Sequence, residues 1–214
     1  VLDFIIKIIL AYMLGSLLGS LVIGKLKGGV DIRTQGSGNA GGTNALRTQG
    51  WKFAVGVMLI DIGKGWVAVA LLPWLSLPGL SAEVIDLRWL QVGCAMAVVF
   101  GHVYPLWFGF RGGKGAATLV GVVAGLIPAA LPCVLIVWLL VLMLSGYVGL
   151  STMLATLSFN VWMWWAGYGL RDAITLFGVS MAVLVIYTHR GNIQRMRAGS
   201  ENRARKLWLF KNRV

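Results

Sequence analysis

Two stretches of this chain carry the residue types that phosphate chemistry needs. The first is Gly36-Ser37-Gly38-Asn39-Ala40-Gly41-Gly42-Thr43-Asn44-Ala45-Leu46-Arg47, and the second is Arg111-Gly112-Gly113-Lys114-Gly115-Ala116-Ala117-Thr118. Each joins glycines, whose backbone N–H groups a ligand can approach closely, to a cation that neutralises an anion. Ser37, Thr43 and Asn44 add side-chain donors, and Arg47 adds a planar fork that grips phosphate. A third group, Asp61-Ile62-Gly63-Lys64-Gly65, sets a carboxylate and an ammonium on one helix face, where they can pair and support the loops. His189 opens His189-Arg190-Gly191-Asn192-Ile193, with an amide one helical turn on and basic neighbours, and is the better candidate for a general base. His102, in Gly101-His102-Val103-Tyr104-Pro105, stands alone at a helix end, where a hydrogen-bonded structural histidine is the commoner reading.

Several familiar chemistries do not fit. Gly36-x-Gly38-x-x-Gly41 matches the dinucleotide fingerprint in letters, but that fingerprint needs a strand before it and a βαβ unit around it, and an apolar helix precedes it here. A P-loop needs Ser or Thr after its lysine, and Gly115 follows Lys114. There is no Gly-x-Ser-x-Gly elbow, and neither histidine has an aspartate five residues on: Trp107 follows His102 and Gln194 follows His189 at that spacing. Cys94 and Cys133 lie alone in apolar segments, with no metal or redox spacing.

The elements that position these groups are membrane helices. Of 214 residues, 58% are hydrophobic and only 12% charged, against about 25% charged in an average soluble domain. Mean hydropathy is +0.81. The runs are too long and too unbroken for a β-barrel. Spans are expected at roughly 4–24, 52–74, 89–108, 148–168 and 172–188, with a polar loop from the first span to about Gly50 and a turn at Pro78-Gly79. Gly15, Ser16, Gly19, Ser20 and Gly24 give the first span a face of small residues for close helix approach. That span is read as retained, not as a cleaved signal. The segment 116–145 has Pro128 and Pro132 at its middle and reads as a short helical pair or a re-entrant hairpin.

Charge sets the orientation. Lys25, Lys27, Arg33, Arg47 and Lys52 lie between the first two spans, Arg111 and Lys114 in the second glycine loop, and Arg190 through Arg213 in the tail. All belong on the cytoplasmic side under the positive-inside rule. The expected fold is therefore an all-α integral membrane protein of about seven transmembrane helices, N-terminus outside and C-terminus cytoplasmic. It forms a single multi-pass domain over 1–214 with a basic tail at 194–214. Glu83, Asp86 and Asp172 fall in the outer loops, and Trp162, Trp164 and Trp165 read as an interface belt. The formal net charge of +12 is topological and lipid-facing, so no nucleic-acid partner is expected. The tail residues Leu207, Trp208, Leu209 and Phe210 are expected to lie on anionic lipid.

Taken in order, Gly-Ser-Gly-Asn…Gly-x-Thr-Asn…Arg (36–47), Asp-x-x-Lys-Gly (61–65), Gly-His-x-x-Pro (101–105), Phe-x-Gly-Gly-Lys-Gly-x-Ala-Thr (110–118) and His-Arg-x-Asn-Ile (189–193) with Gly-Ser-Glu (199–201) resemble the bacterial membrane acyl-phosphate-dependent glycerol-3-phosphate acyltransferases over essentially the whole chain. Gly42 stands where that family usually has alanine, and Gly149 where serine is common. The resemblance implies transfer of a fatty acyl group from acyl phosphate to the sn-1 hydroxyl of glycerol 3-phosphate. The products are 1-acylglycerol 3-phosphate and phosphate, the first acylation of phospholipid synthesis. No acyl-CoA, cofactor or metal is implied; membrane lipid is the other partner, and the protein is expected to work as a monomer in the bacterial inner membrane.

On that basis His189, Asn192 and Lys114 are the expected catalytic residues. Ser37, Thr43 and Arg47 are expected on glycerol 3-phosphate, and Lys114 with the backbone of Gly112, Gly113 and Gly115 on the acyl-phosphate group; Gly38, Asn39, Asn44 and Arg111 are further expected substrate-binding residues. His102 and Thr152 complete the expected binding set, with Asp61 and Lys64 as buried support. A transporter of organic phosphates is the alternative, since intramembrane charge and broken helices occur there too. A metal-dependent phosphatase or headgroup transferase wants clustered carboxylates, and the seven acids are scattered. A scaffold has no use for cationic glycine loops.

Overall fold

The computed structural model describes residues 1–77 and 86–210. The expected turn at Pro78-Gly79, Glu83, and the tail cations Lys211 and Arg213 lie outside that range. Every regular element among the described residues is helical. The chain divides into two compact units, Val1–Ile127 and Pro128–Val214.

The first unit begins with α1 (Leu2–Gly15) and α2 (Gly19–Leu26), bent by 51° at Ser16–Leu18. The expected first span is therefore broken rather than continuous. A short 3-10 turn (Ile32–Thr34) leads to α3 (Gly42–Gln49), and Gly50 separates it from α4 (Trp51–Ala70). So the second half of the expected polar loop is helical. Its polar composition, Gly-Thr-Asn-Ala-Leu-Arg-Thr-Gln, hid a two-turn helix from a hydropathy reading. Next come α5 (Leu87–Val103), capped by the Asp86 carboxylate accepting from Arg88 N, and α6 (Ala116–Leu126). The second unit holds α7 (Leu131–Ser145), α8 (Val148–Trp165), α9 (Ala173–Thr188) and α10 (Arg190–Arg197), with α9 and α10 bent by 52°. The expected turn at Pro128–Pro132 is a 3-10 turn at Pro128–Ala130 running into α7.

By length and composition, Trp51–Trp74, Leu87–Phe108 and Pro128–Ser145 can each cross a bilayer, and the two bent pairs qualify if each is one span. α6 is apolar but has only 11 residues. On α8, Trp164 and Trp165 are exposed near the C-terminal end.

Lipid tails are as apolar as leucine, so apolar burial drives little helix pairing inside a bilayer, and close van der Waals contact must do the work. The seams follow that logic. A Cβ at Gly65 of α4 would run into the Thr118 carbonyl of α6, and one at Gly121 of α6 into the Ile62 carbonyl of α4. Gly15 meets the Val98 carbonyl of α5 in the same way, whereas Gly19 meets Val57 of α4. The small-residue face of the first span thus serves two partners, because the break turns its two halves toward different helices. In the second unit Asn160 Nδ2 donates to the Gly178 carbonyl at 3.2 Å and ties α8 to α9. Replacing Gly121 by alanine should lower stability by about 1–3 kcal/mol through overpacking. Gly63→Ala, where a Cβ meets nothing within 4 Å, should leave the midpoint unchanged or slightly raised. Thermal unfolding in micelles reads both; equal effects would remove the backbone seam as a stabilising contact.

Candidate active site

The first glycine loop is wound around one amide. Asn44, 1% exposed, accepts from Ser37 N at 2.9 Å, and its Nδ2 faces the carbonyls of Ile32, Gln35 and Asn39 at 2.9–3.0 Å. Both ends of that side chain are occupied by backbone, so Asn44 shapes the loop instead of facing a ligand. Ser37, Gly38, Thr43 and Arg47 are exposed around it, and Asn39 is half-buried.

Arg33 joins the two glycine loops. Its Nε and Nη2 lie 2.8–3.1 Å from the Asp31 carboxylate, and Nη1 donates to the carbonyls of Phe108 and Arg111, both at 3.0 Å. The hydrogen bond from Arg33 holds the Asp31 carboxyl below its ordinary value of 3.8. Asp31, Arg33, Thr34, Gly38, Phe108, Arg111 and Gly112 enclose a cleft of about 250 Å³. Three of the expected substrate-binding residues, Gly38, Arg111 and Gly112, thus line one cleft.

The second loop departs from expectation at its glycine pair. Gly112 N donates to the Val103 carbonyl at 3.2 Å, and Gly113 N to the His102 carbonyl at 3.0 Å. Those N–H groups cap the end of α5 and are not available to cradle a phosphate. The glycines are there for packing: a Cβ at 113 would strike His102 Nε2, and one at 112 the His102 carbonyl. Lys114 follows, half-buried, and Gly115 opens α6. The first-turn N–H groups of α6 have no partner inside the helix and are the donor type that binds anions.

Beneath this loop lies a buried charged cluster. Lys64 Nζ meets Asp61 Oδ1 at 2.9 Å, the carbonyls of Gly15 and Leu17 at 2.9 and 2.8 Å, and His102 Nδ1 at 3.0 Å. Asp61 Oδ1 also accepts from Gly19 N at 3.1 Å. The pair therefore closes the backbone groups that the α1–α2 break leaves open. His102 Nδ1 also lies 3.5 Å from Asp61 Oδ1, so the ring meets both members of the pair, while its Nε2 edge packs against Gly113. His102 is 2% exposed, packed between cluster and loop. Its ring thereby bridges the cluster and the glycine pair.

In the second unit His189 stands at the α9–α10 bend, 4% exposed, its Nδ1 2.8 Å from the Val185 carbonyl. A carbonyl only accepts, so Nδ1 carries the proton and Nε2 is the basic nitrogen. Asn192 donates to Glu201 Oε1 at 3.0 Å, and Arg195 holds Glu201 Oε2 at 2.7 Å. Thr152 uses its hydroxyl inside the protein: it donates to the Val148 carbonyl at 2.9 Å and accepts from Trp138 Nε1 at 3.4 Å. Both of these contacts are internal to the second unit. The tail differs too, since Trp208 is 7% exposed and turned inward, while Leu207, Leu209 and Phe210 are exposed.

Two contributors escaped the sequence reading. Asp31-x-Arg33 lies just upstream of the first loop and signals a local ion pair, but nothing in its spacing points to carbonyls far along the chain. Glu201 was visible only as part of a motif. Among the described residues no three His, Cys, Asp or Glu side chains gather where a metal could bind.

The Asp31 shift has a definite pH signature. Its folded value lies below the unfolded one, so the stability it adds is present above about pH 4 and fades only as pH falls through the lowered value. Asp31→Asn should therefore lower the unfolding midpoint by the same amount across pH 5–9, and by less at pH 3. A difference that changes sign or size between pH 6 and 8 contradicts the assignment.

The family model described as glycerol-3-phosphate acyltransferase matches residues 5–199. The glycerol-3-phosphate acyltransferase of Aquifex aeolicus is 39% identical over 196 residues, covering 92% of this chain and 96% of that one. The enzyme of the same description from Chlorobaculum tepidum is 36% identical over 229 residues, covering 94% and 97%. Among solved structures, PlsY (YgiH), an integral membrane glycerol 3-phosphate acyltransferase, superposes in its glycerol 3-phosphate form with a TM-score of 0.82 at 37% identity, covering 94% of each chain. Its lysophosphatidic acid form gives 0.80 at 36% identity. The chain belongs to the glycerol-3-phosphate acyltransferase family of bacterial integral membrane enzymes.

Proposed function

We propose that the protein transfers a fatty acyl group from acyl phosphate to the sn-1 hydroxyl of glycerol 3-phosphate. The observation that carries this reading is the pair of cationic loops joined by Arg33 around one cleft, a setting for phosphate, together with a histidine whose basic nitrogen is fixed as Nε2. Glycerol 3-phosphate and lysophosphatidic acid forms of the solved relative support one acylation of that acceptor. Acyl phosphate is the donor most economical for this chain, because a mixed anhydride is already activated and needs positioning and charge neutralisation more than a protein nucleophile.

The acceptor oxygen attacks the acyl carbonyl carbon, the bond from that carbon to the phosphate oxygen breaks, and inorganic phosphate leaves. Ser37, Gly38, Asn39, Thr43 and Arg47 bind glycerol 3-phosphate, and Asn44 keeps their loop in shape. Lys114 and the first turn of α6, with Arg111 beside them, hold the donor phosphate and offset its charge as it departs. His189 Nε2 takes the hydroxyl proton, and Asn192 orients the hydroxyl. A substrate phosphate oxygen is the competing proton acceptor.

The chain is a single multi-pass acyltransferase domain over 1–214, and its basic tail, 194–214, is cytoplasmic. Its topology is about seven crossings of the inner membrane with the N-terminus outside, which sets every basic loop at the cytoplasmic face. A monomer suffices. Family membership leaves the transporter alternative without support.

In micelles with palmitoyl phosphate and glycerol 3-phosphate, Lys114→Ala should lose on the order of 10²–10³ in turnover. His189→Gln should lose turnover with the KM for glycerol 3-phosphate unchanged. Near-normal turnover in the first variant removes Lys114 from the site, and a rise in KM alone in the second makes His189 a binding residue.

A further inference from the structure

The chain beyond α10 folds back onto the second unit. Glu201 accepts from both Asn192 and Arg195. Two residues on, the Arg203 guanidinium lies over two rings, 4.0 Å from the Trp208 centroid and 4.7 Å from that of Tyr147. Trp208 Nε1 donates to the Leu144 carbonyl at 3.2 Å, Ala204 N to that of Gly146 at 2.8 Å and Leu209 N to that of Met143 at 3.0 Å. Three tail donors thus meet carbonyls at the end of α7, where the helical ladder has run out.

Tyr147, the second ring under Arg203, is the residue before α8. Two residues further along, Gly149 offers no side chain, and the Asn192 amide fills the space: a Cβ at 149 would stand 3.0 Å from Asn192 Cγ and 3.1 Å from Nδ2. Asn192 therefore touches α8 at Gly149 and the tail at Glu201. The Tyr147–Arg203–Trp208 stack ties together the residue two before the first contact and the residue two after the second.

We propose that this stack is a positioning element for acyl transfer: it fixes the spacing between Gly149 and Glu201 and so holds the Asn192 amide in one orientation. Tyr147, Arg203 and Trp208 act through Asn192 and touch no substrate. The inference rests on the reading that Asn192 orients the reacting hydroxyl.

The test uses the full chain in lipid micelles, with turnover counted per monodisperse protein. Trp208→Ala should lower kcat by about 10-fold, the scale of a modest misplacement of a reacting group, with the KM for glycerol 3-phosphate unchanged. Trp208→Phe keeps a ring face for the Arg203 cation and should recover most of that loss. In an Asn192→Ala background, Trp208→Ala should cost little more, because no amide remains to orient. Unchanged kcat in Trp208→Ala, or a full additive loss in the double variant, overturns the proposal. If Trp208→Ala does not yield monodisperse protein, Arg203→Met keeps the stem and removes the cation, with the same two outcomes expected and excluded. Full turnover in Asn192→Ala alone defeats the parent reading; turnover lost there but retained in Trp208→Ala defeats only the stack.

Discussion

Lys64 sits where an ammonium is costly, inside an apolar helix, and the first unit is organised around it. Insertion of such a charge at a helix centre costs about 2.5–3.5 kcal/mol on translocon scales. What offsets that cost is the break between α1 and α2. In a bilayer an open backbone carbonyl finds no water, so a bent helix needs donors from elsewhere in the protein. Lys64 supplies them to Gly15 and Leu17, and Asp61 supplies an acceptor to Gly19 N. The same ammonium faces His102, which packs on Gly113, one residue from Lys114. A charge pair that serves the backbone of one helix thereby sets the footing of the second glycine loop.

The other irregular points obey the same constraint. At the α9–α10 bend, His189 Nδ1 donates to the Val185 carbonyl, which also accepts from His189 N, and that contact decides which ring nitrogen is basic. At the end of α7, the tail brings its own donors to Met143, Leu144 and Gly146. Irregular backbone is tolerated in membrane proteins where side chains or a cavity answer it.

Most of the helical plan was legible from hydropathy, because long apolar runs leave few alternatives in a bilayer. The break in the first span was not, since Ser16-Leu17-Leu18 contains no proline and its partners lie far along the chain. α3 was hidden by its polarity. The site shows the same division. Asp61 and Lys64 announce themselves as a pair by spacing, and the glycine loops by composition. Which N–H groups of Gly112 and Gly113 are open cannot be seen in the letters, because the carbonyls that occupy them belong to the end of α5. Asn44 likewise reads as a ligand until its amide is found inside its own loop. Sequence shows which groups can bind phosphate; only the fold shows which of them are already used.

The proposed acyl phosphate chemistry assigns two phosphates to cations and backbone amides, and one proton to an imidazole. The most direct test of that account is product formation by purified protein in lipid micelles without added metal, offering palmitoyl phosphate and palmitoyl-CoA in parallel with glycerol 3-phosphate. The account predicts phosphate release that depends on glycerol 3-phosphate, 1-acylglycerol 3-phosphate as the product, and no transfer from palmitoyl-CoA. Transfer from palmitoyl-CoA alone, or acylation at the second hydroxyl, contradicts it.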